Sequence, residues 1–132
     1  MGYTFDAKNT KDKLVAWIRN WFDENGRDCN AIIGISGGKD SSVCAALCVE
    51  ALGKDRVIGI LMPNLKQDDI NDSYQLVKHL EIQNYTIPIS VAVAGIHNQL
   101  EHAGIDVSVQ TTTNLPPRIR MSVLYAVSQS TN

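Results

Sequence analysis

Apolar and polar residues along the chain form blocks that predict alternating helices and strands. Apolar side chains at near-helical spacing over residues 10–24 predict a first helix, and the short apolar run 31–35 predicts a first strand. A second helix is predicted over 43–52, with Gly53 ending it. The almost uninterrupted apolar run 56–62 then predicts a strand that is buried on both faces of a sheet.

The same alternation continues towards the end of the sequence. We expect a helix over 70–80, a strand over 84–89 and a helix over 91–101, followed by a polar loop over 107–114 and a last helix that opens at residue 114. Strands that alternate with helices predict an α/β fold, in which a parallel sheet with right-handed crossovers is the middle of three layers and helices cover both of its faces. Ligands of such sheets bind at the carboxyl ends of the strands.

Composition adds limits to this picture. The 132 residues, of which 44% are hydrophobic, predict a single domain with a real core. A net charge of −2 gives no basic field for a polyanion, so no nucleic acid partner is expected. No apolar stretch has the length of a bilayer span, and the first residues do not resemble a signal peptide, so we expect no membrane partner and a cytoplasmic location.

The three cysteines are an odd number, and no two of them form a Cys-x-x-Cys pair. Cys44 and Cys48 lie one turn apart in the apolar second helix, and Cys29 precedes the first strand. We therefore expect buried, reduced thiols rather than a metal or redox site.

Residues 36–42, Ser-Gly-Gly-Lys-Asp-Ser-Ser, lie between the first strand and the second helix. Gly37 and Gly38 are expected to adopt positive φ, and the first turn of the helix leaves amide N–H groups that favour an anion. Lys39 can add a positive charge, and Asp40 supplies an oxygen ligand suited to a magnesium ion that bridges phosphates. The sequence thus predicts a phosphate site.

Two common phosphate motifs do not fit this loop. A Walker A loop needs glycine where Ile33 stands, and serine or threonine where Asp40 stands. The dinucleotide fingerprint needs glycines at the first, third and sixth positions, which the spacing of Gly34, Gly37 and Gly38 does not provide. A chance glycine turn is the remaining alternative, and the order of strand, turn and helix argues against it.

Arg118 and Arg120 fall in what we predict to be the first turn of the last helix. Two positive charges there would oppose the positive end of the helix dipole at a cost of up to about 1 kcal/mol each. This placement favours an anionic ligand, and pairing with surface carboxylates is the alternative.

The loop resembles the SGGxDS motif of the ATP pyrophosphatases, and three segments together look like NAD synthetase. The segments are Gly34–Ser41, Leu61-Met62-Pro63-Asn64 with Gln67 and Asp68, and the run from Asn114 through Arg118-Ile119-Arg120-Met121 to Leu124 and Tyr125. The resemblance covers the chain from about residue 10 onward.

The resemblance implies a ligase that activates the carboxylate of deamido-NAD with ATP and then adds ammonia, giving NAD, AMP and pyrophosphate. It implies Arg118 as a contact of deamido-NAD and Asp40 as a ligand of Mg²⁺, and it leaves the catalytic residues unassigned. It also implies a homodimer. The implied ATP-binding residues are Gly34, Ile35, Ser36, Gly37, Gly38, Lys39, Asp40, Ser41 and Gln67.

Members of this family continue for a comparable length beyond the position of Asn132, with two further strands in the order 3-2-1-4-5. We therefore expect a truncated chain that is inactive alone and that exposes an edge of its first strand. Free ammonia is the expected nitrogen source, with glutamine as the open alternative. Two other functions remain open: another amidating ligase with the same loop, such as GMP synthase, and a nucleotide-binding fragment without catalysis.

Overall fold

The computed structural model describes residues 4–65 and 70–131. Over these residues the chain alternates strands and helices, as the sequence pattern predicts. The strands are β1 (Ala31–Gly34), β2 (Val57–Leu61) and β3 (Gln83–Thr86); the helices are α1 (Ala7–Asn25), α2 (Lys39–Leu52), α3 (Ile70–His79), α4 (Ser90–His102) and α5 (Val109–Thr131), with a 3₁₀ turn at Lys54–Arg56.

All strand pairs in the described sheet are parallel, in the order β1-β2-β3. The central strand β2 is buried at every residue, which confirms the prediction of a strand covered on both faces. Strand β3 ends three residues earlier than predicted, at Thr86 rather than residue 89. β1 forms one edge of the described sheet, as the sequence predicts.

Two apolar cores lie on the two faces of the sheet. On one face, Val57 and Leu61 pack with residues of α2 and α3, and α1 covers them with Ile18 and Phe22. On the other face Ile58 and Ile60 alternate with them and pack against α4 and α5. The predicted three-layer arrangement is therefore confirmed.

Helices α1 and α2 begin earlier than predicted: α2 begins at Lys39 rather than at residue 43, without a side-chain cap, and α1 begins before residue 10. The first helix starts at Ala7 because the Asp6 carboxylate accepts a hydrogen bond from the Asn9 amide at 2.9 Å. The end of α2 agrees with the prediction: Gly53 follows it with φ of +87°.

The start of α5 was predicted wrongly. This helix begins at Val109, and not at residue 114, because the Ser108 hydroxyl accepts a hydrogen bond from the Thr111 amide at 3.1 Å. The helix continues through Pro116 and Pro117. Its apolar side chains on the sheet side, among them Leu115, Ile119 and Val123, pack against the second core, so tertiary packing outweighs the proline signal.

This longer helix removes the argument from the helix dipole. Arg118 and Arg120 lie in the middle of α5 rather than in its first turn, so neither opposes the positive end of the dipole. Whatever these arginines do must be inferred from their contacts. Within the described residues, no helix is long and apolar enough to cross a membrane.

Candidate functional site

The two glycines of the loop after β1 differ in backbone conformation: Gly37 has a positive φ and Gly38 a negative one. Gly37 has φ of +82°, a conformation that side-chain-bearing residues rarely adopt. Gly38, which begins α2, has φ of −81° and ψ of 161°, so the prediction of positive φ at both glycines is wrong for Gly38. Only Gly37 needs to be glycine on conformational grounds.

Serine hydroxyl groups close the loop on itself. The hydroxyls of Ser36 and Ser41 lie 3.1 Å apart, and the Ser41 hydroxyl also donates to the Gly38 carbonyl oxygen at 3.1 Å. The Gly38 amide donates to the Ser36 hydroxyl at 3.3 Å, and the Ser42 hydroxyl donates to the Gly38 carbonyl at 2.8 Å. These bonds hold the turn in one conformation while the helix start behind it stays open to solvent.

Lys39 and Asp40 point away from this network. Their side chains are 90% and 93% exposed, and their charged atoms are 3.9 Å apart. An exposed ion pair of this length contributes little stability. Asp40 lies in the first turn of α2, where a carboxylate is stabilised by the helix dipole. The carboxylate is therefore placed to meet a ligand without first giving up a strong partner.

A cavity of about 580 Å³ opens beside the loop at the carboxyl ends of β1 and β2. Its walls are formed by the end of β1 and by one face of α5. Gly34 allows α5 to approach β1 this closely, because a Cβ on residue 34 would lie 3.1 Å from the Met62 methyl carbon and 3.5 Å from a Leu124 methyl carbon. The lining residues are Gly34, Ile35, Ser36, Met62, Pro117, Arg120, Met121 and Leu124.

A second cavity of about 390 Å³ lies on the other side of the ridge that Pro117 and Met121 form on α5. Its other lining residues are Asn114 and Arg118. Residues 118 and 120 are about 200° apart around a helix, so the two arginines serve different sides of the ridge. Arg118 is exposed, and Arg120 is half-buried.

The structure thus brings Gly34, Ile35 and Ser36 of the predicted ATP site into one cavity with α5, and it places Arg118 in the adjacent one. Gln67 lies outside the described residues, as does Asp68. For Arg120 the sequence suggested an anionic ligand only through the helix-dipole argument, which does not apply in the longer helix, and it assigned no site role to Met62. The signal that could have placed Arg120 in this cavity is the spacing of residues 117, 120, 121 and 124, which share one helix face.

The cysteines differ from the prediction in one respect. Cys48 is buried, and burial raises the pKa of its thiol from 9.0 to about 11, with the neighbouring Cys44 adding to the shift. Cys44 is exposed, contrary to expectation, and Cys29 is half-buried. Among the described residues no cluster of three or more His, Cys, Asp or Glu side chains could hold a metal ion.

Several known proteins with similar sequences are NAD synthetases. A sequence model described as NAD synthase matches residues 10–132. The chain is 38% identical over 123 residues to an NH₃-dependent NAD⁺ synthetase of Methanosarcina acetivorans, a match that covers 91% of this chain and 47% of that protein. Glutamine-dependent NAD⁺ synthetases also occur among the relatives.

Solved structures agree with the sequence matches. An NH₃-dependent NAD synthetase from Campylobacter jejuni superposes with a TM-score of 0.87 at 27% identity, covering 98% of this chain and 55% of that one. An NMN synthetase from Francisella tularensis superposes with a TM-score of 0.84 at 30% identity, covering 98% and 52%. The chain spans about half the length of these proteins.

Proposed function

Because the chain belongs to the NAD synthase family, we propose that it carries the ATP-binding part of an enzyme that amidates deamido-NAD to NAD. In this reaction a carboxylate oxygen of the nicotinate group attacks the α-phosphate of ATP, and pyrophosphate leaves. Ammonia then attacks the acyl adenylate, and AMP leaves with the oxygen. Adenylation is needed because a carboxylate is a poor electrophile without a leaving group.

The single observation that carries this proposal is the cavity shared by the loop after β1 and the face of α5. The resemblance assigns the loop to ATP and the segment around Arg118 to deamido-NAD. Two adjacent cavities on either side of one helix ridge suit two substrates that must meet at one bond. Holding the carboxylate and the α-phosphate together accelerates the reaction, because a bimolecular step becomes an effectively unimolecular one between correctly positioned groups.

The proposed roles follow the parts of the loop. The first-turn amides of α2 hold phosphate oxygens, since helix geometry leaves them unpaired, and the hydroxyl network keeps the turn in the conformation that presents them. Lys39 contributes charge from the solvent side. Arg118 contacts deamido-NAD from the second cavity. Gln67 remains a proposed ATP contact from the resemblance alone.

The residues present fit a magnesium ion that binds mainly through nucleotide oxygens. Asp40 offers one exposed carboxylate at the helix start, and Mg²⁺ is usually held by one or two carboxylates together with phosphates and water. When bound, the ion would neutralise charge on the departing pyrophosphate. Asp40 would hold it against the phosphates that the loop orients.

Ammonia as the nitrogen donor is supported by the NH₃-dependent relatives, and glutamine as its source remains the alternative. Amidation to NMN rather than NAD is a second candidate reaction, favoured by the similarity to an NMN synthetase. A cytoplasmic homodimer is part of the proposal. The exposed Trp17 and Trp21 side chains of α1 support contact between subunits.

The test is to supply the whole protein with ATP, Mg²⁺ and ammonia, and with either deamido-NAD or nicotinate mononucleotide. We expect AMP and pyrophosphate to form in step with NAD, and more slowly or not at all with the mononucleotide. Faster turnover of the mononucleotide would favour the NMN reaction. No release of pyrophosphate with either acceptor would refute the proposed ligase.

Replacing Asp40 by asparagine should reduce this turnover by about 100-fold or more, because the variant keeps the size of the side chain and loses its charge for Mg²⁺. Asp12→Asn is the matched control: Asp12 is also an exposed carboxylate paired with a lysine, Lys8, at 2.8 Å, and it lies on α1. The comparison is made with steady-state rates at saturating ATP over a range of Mg²⁺ concentrations. Similar rates for both variants would exclude Asp40 as a metal ligand.

A further inference from the structure

Among the described residues, three arginines donate their Nε–H to a backbone carbonyl oxygen. Arg19 donates to Ala51 at 3.2 Å, Arg56 to Cys29 at 3.2 Å, and Arg120 to Met62 at 3.1 Å. An arginine fixed in this way has its guanidinium plane set by the fold.

The other two arginines, Arg19 and Arg56, also form hydrogen bonds through their terminal guanidinium nitrogens. A terminal nitrogen of Arg19 also donates to the Glu50 carbonyl. One terminal nitrogen of Arg56, Nη2, donates to the carbonyls of both Gly26 and Cys29, and the guanidinium lies 5.6 Å from the centre of the Phe22 ring.

Within the described part of the chain, Arg120 makes no second hydrogen bond and no ion pair. A guanidinium has five N–H donors, so four of them stay available. Arg120 is half-buried, and its terminal nitrogens are not among the buried polar atoms that lack a partner, so they stay accessible to a ligand. An anion that enters the neighbouring cavity would therefore meet N–H donors that are already held in place.

The position of Arg120 indicates which anion. It lines the 580 Å³ cavity together with Ser36 and Gly34, whereas Arg118 lines the other cavity. A guanidinium fork binds phosphate oxygens with parallel hydrogen bonds. Arg120 and Ser36, the first residue of the predicted phosphate loop, thus border the same space.

We propose that Arg120 binds a phosphate group in this cavity, which Ser36 also lines, with its orientation fixed by the hydrogen bond to Met62. The inference rests on the proposed function, because it adds a phosphate contact to that same site. Met62 follows directly after β2, so the bond also ties α5 to the carboxyl edge of the sheet. Because the fold already holds the guanidinium in place, its side chain loses little freedom when a ligand binds.

The test compares Arg120→Gln with Arg120→Lys in the whole protein, with dissociation constants for MgATP and for magnesium pyrophosphate measured by calorimetry at two salt concentrations. Losing a charged contact to phosphate should weaken both ligands about 10- to 100-fold in Arg120→Gln. The salt dependence of binding should also become smaller, because one charge is missing. Arg120→Lys should recover part of the affinity, since it keeps the charge but lacks the Nε donor.

Arg19→Gln is the matched control. It also removes an Nε bond to a carbonyl, but on α1 at the far end of α2, and it should leave both dissociation constants unchanged. Equal weakening by Arg120→Lys and Arg120→Gln, without a change in salt dependence, would mean that the residue only secures β2, and the proposal would be overturned. Unchanged pyrophosphate binding in Arg120→Gln would overturn it as well.

Failure of this inference is distinguishable from failure of the proposed function. If the wild-type protein binds pyrophosphate through Arg120 but makes no NAD or NMN, the ligase proposal is wrong and the phosphate contact stands. If it makes NAD and Arg120→Gln binds ATP as well as the wild type does, only the present inference is wrong.

Discussion

Replacing Gly37 by alanine should destabilise the protein, whereas the same change at its neighbour Gly38 should not. Gly37 has φ of +82°, and a residue with a Cβ pays about 1–2 kcal/mol to adopt such a conformation. Gly38 has φ of −81° and ψ of 161°, which alanine adopts freely. A Cβ on Gly38 would meet only the Ser36 hydroxyl at 3.4 Å, an ordinary contact.

The expected value for Gly38→Ala is close to zero because two effects offset each other. Alanine is a poorer N-cap than glycine by up to about 1 kcal/mol, and it lowers the entropy of the unfolded chain by about 0.4–1 kcal/mol. Alanine at position 37 would have to adopt the unfavourable positive φ, so Gly37→Ala and Gly38→Ala should differ by roughly 1–2 kcal/mol in the free energy of unfolding. Urea denaturation with an unchanged m-value measures this difference.

A third variant separates backbone strain from crowding. Asparagine tolerates positive φ better than alanine, although its side chain is larger, so Gly37→Asn should be more stable than Gly37→Ala. The opposite order would show that space, and not φ, restricts this position. Equal stabilities of Gly37→Ala and Gly38→Ala would refute the reasoning altogether.

Further substitutions test the core. Gly59→Ala should lower the free energy of unfolding by about 1–3 kcal/mol, because its Cβ would lie 3.1 Å from a methylene carbon of Ile35 and a methyl carbon of Val77. Gly95→Ala is the control and should be neutral or stabilising, because its Cβ would meet no neighbouring atom within 4 Å. Equal urea midpoints of the two variants would contradict this prediction. Because the pKa of the Cys48 thiol is raised from 9.0 to about 11, its contribution to stability is complete below about pH 9 and is lost as the pH rises towards about 11. Cys48→Ala should lack this alkaline loss in urea titrations from about pH 8 to 10.5, and an identical loss in the variant would assign it elsewhere.

Local chemistry accounts for the parts of the fold that the sequence predicted well. Strand β2 was evident because a strand buried on both faces must be apolar at nearly every position. The end of α2 was evident because Gly53 supplies the positive φ that helix ends favour. The loop at 36–42 was recognisable because adjacent glycines favour a tight turn, and the serine and aspartate residues around them are typical of a helix start.

The parts that were wrong depend on contacts that form only in the folded chain. Two prolines in sequence predict a helix start, yet α5 runs through Pro116 and Pro117, because Ser108 begins the helix earlier and its apolar side packs on the sheet. Gly37 and Gly38 look alike in the sequence, and only the folded loop, in which the Ser41 hydroxyl donates to the Gly38 carbonyl, shows that Gly37 is the one with positive φ.

Residues close together in the chain were enough to indicate the α/β order, the phosphate loop and the family resemblance. Folding was needed to show that α5 lies against the end of β1, so that Arg118 and Arg120 line two different cavities and, of the two, Arg120 shares its cavity with Ser36. That division follows from helix geometry and from Gly34, whose missing side chain lets Met62 and Leu124 approach β1 closely.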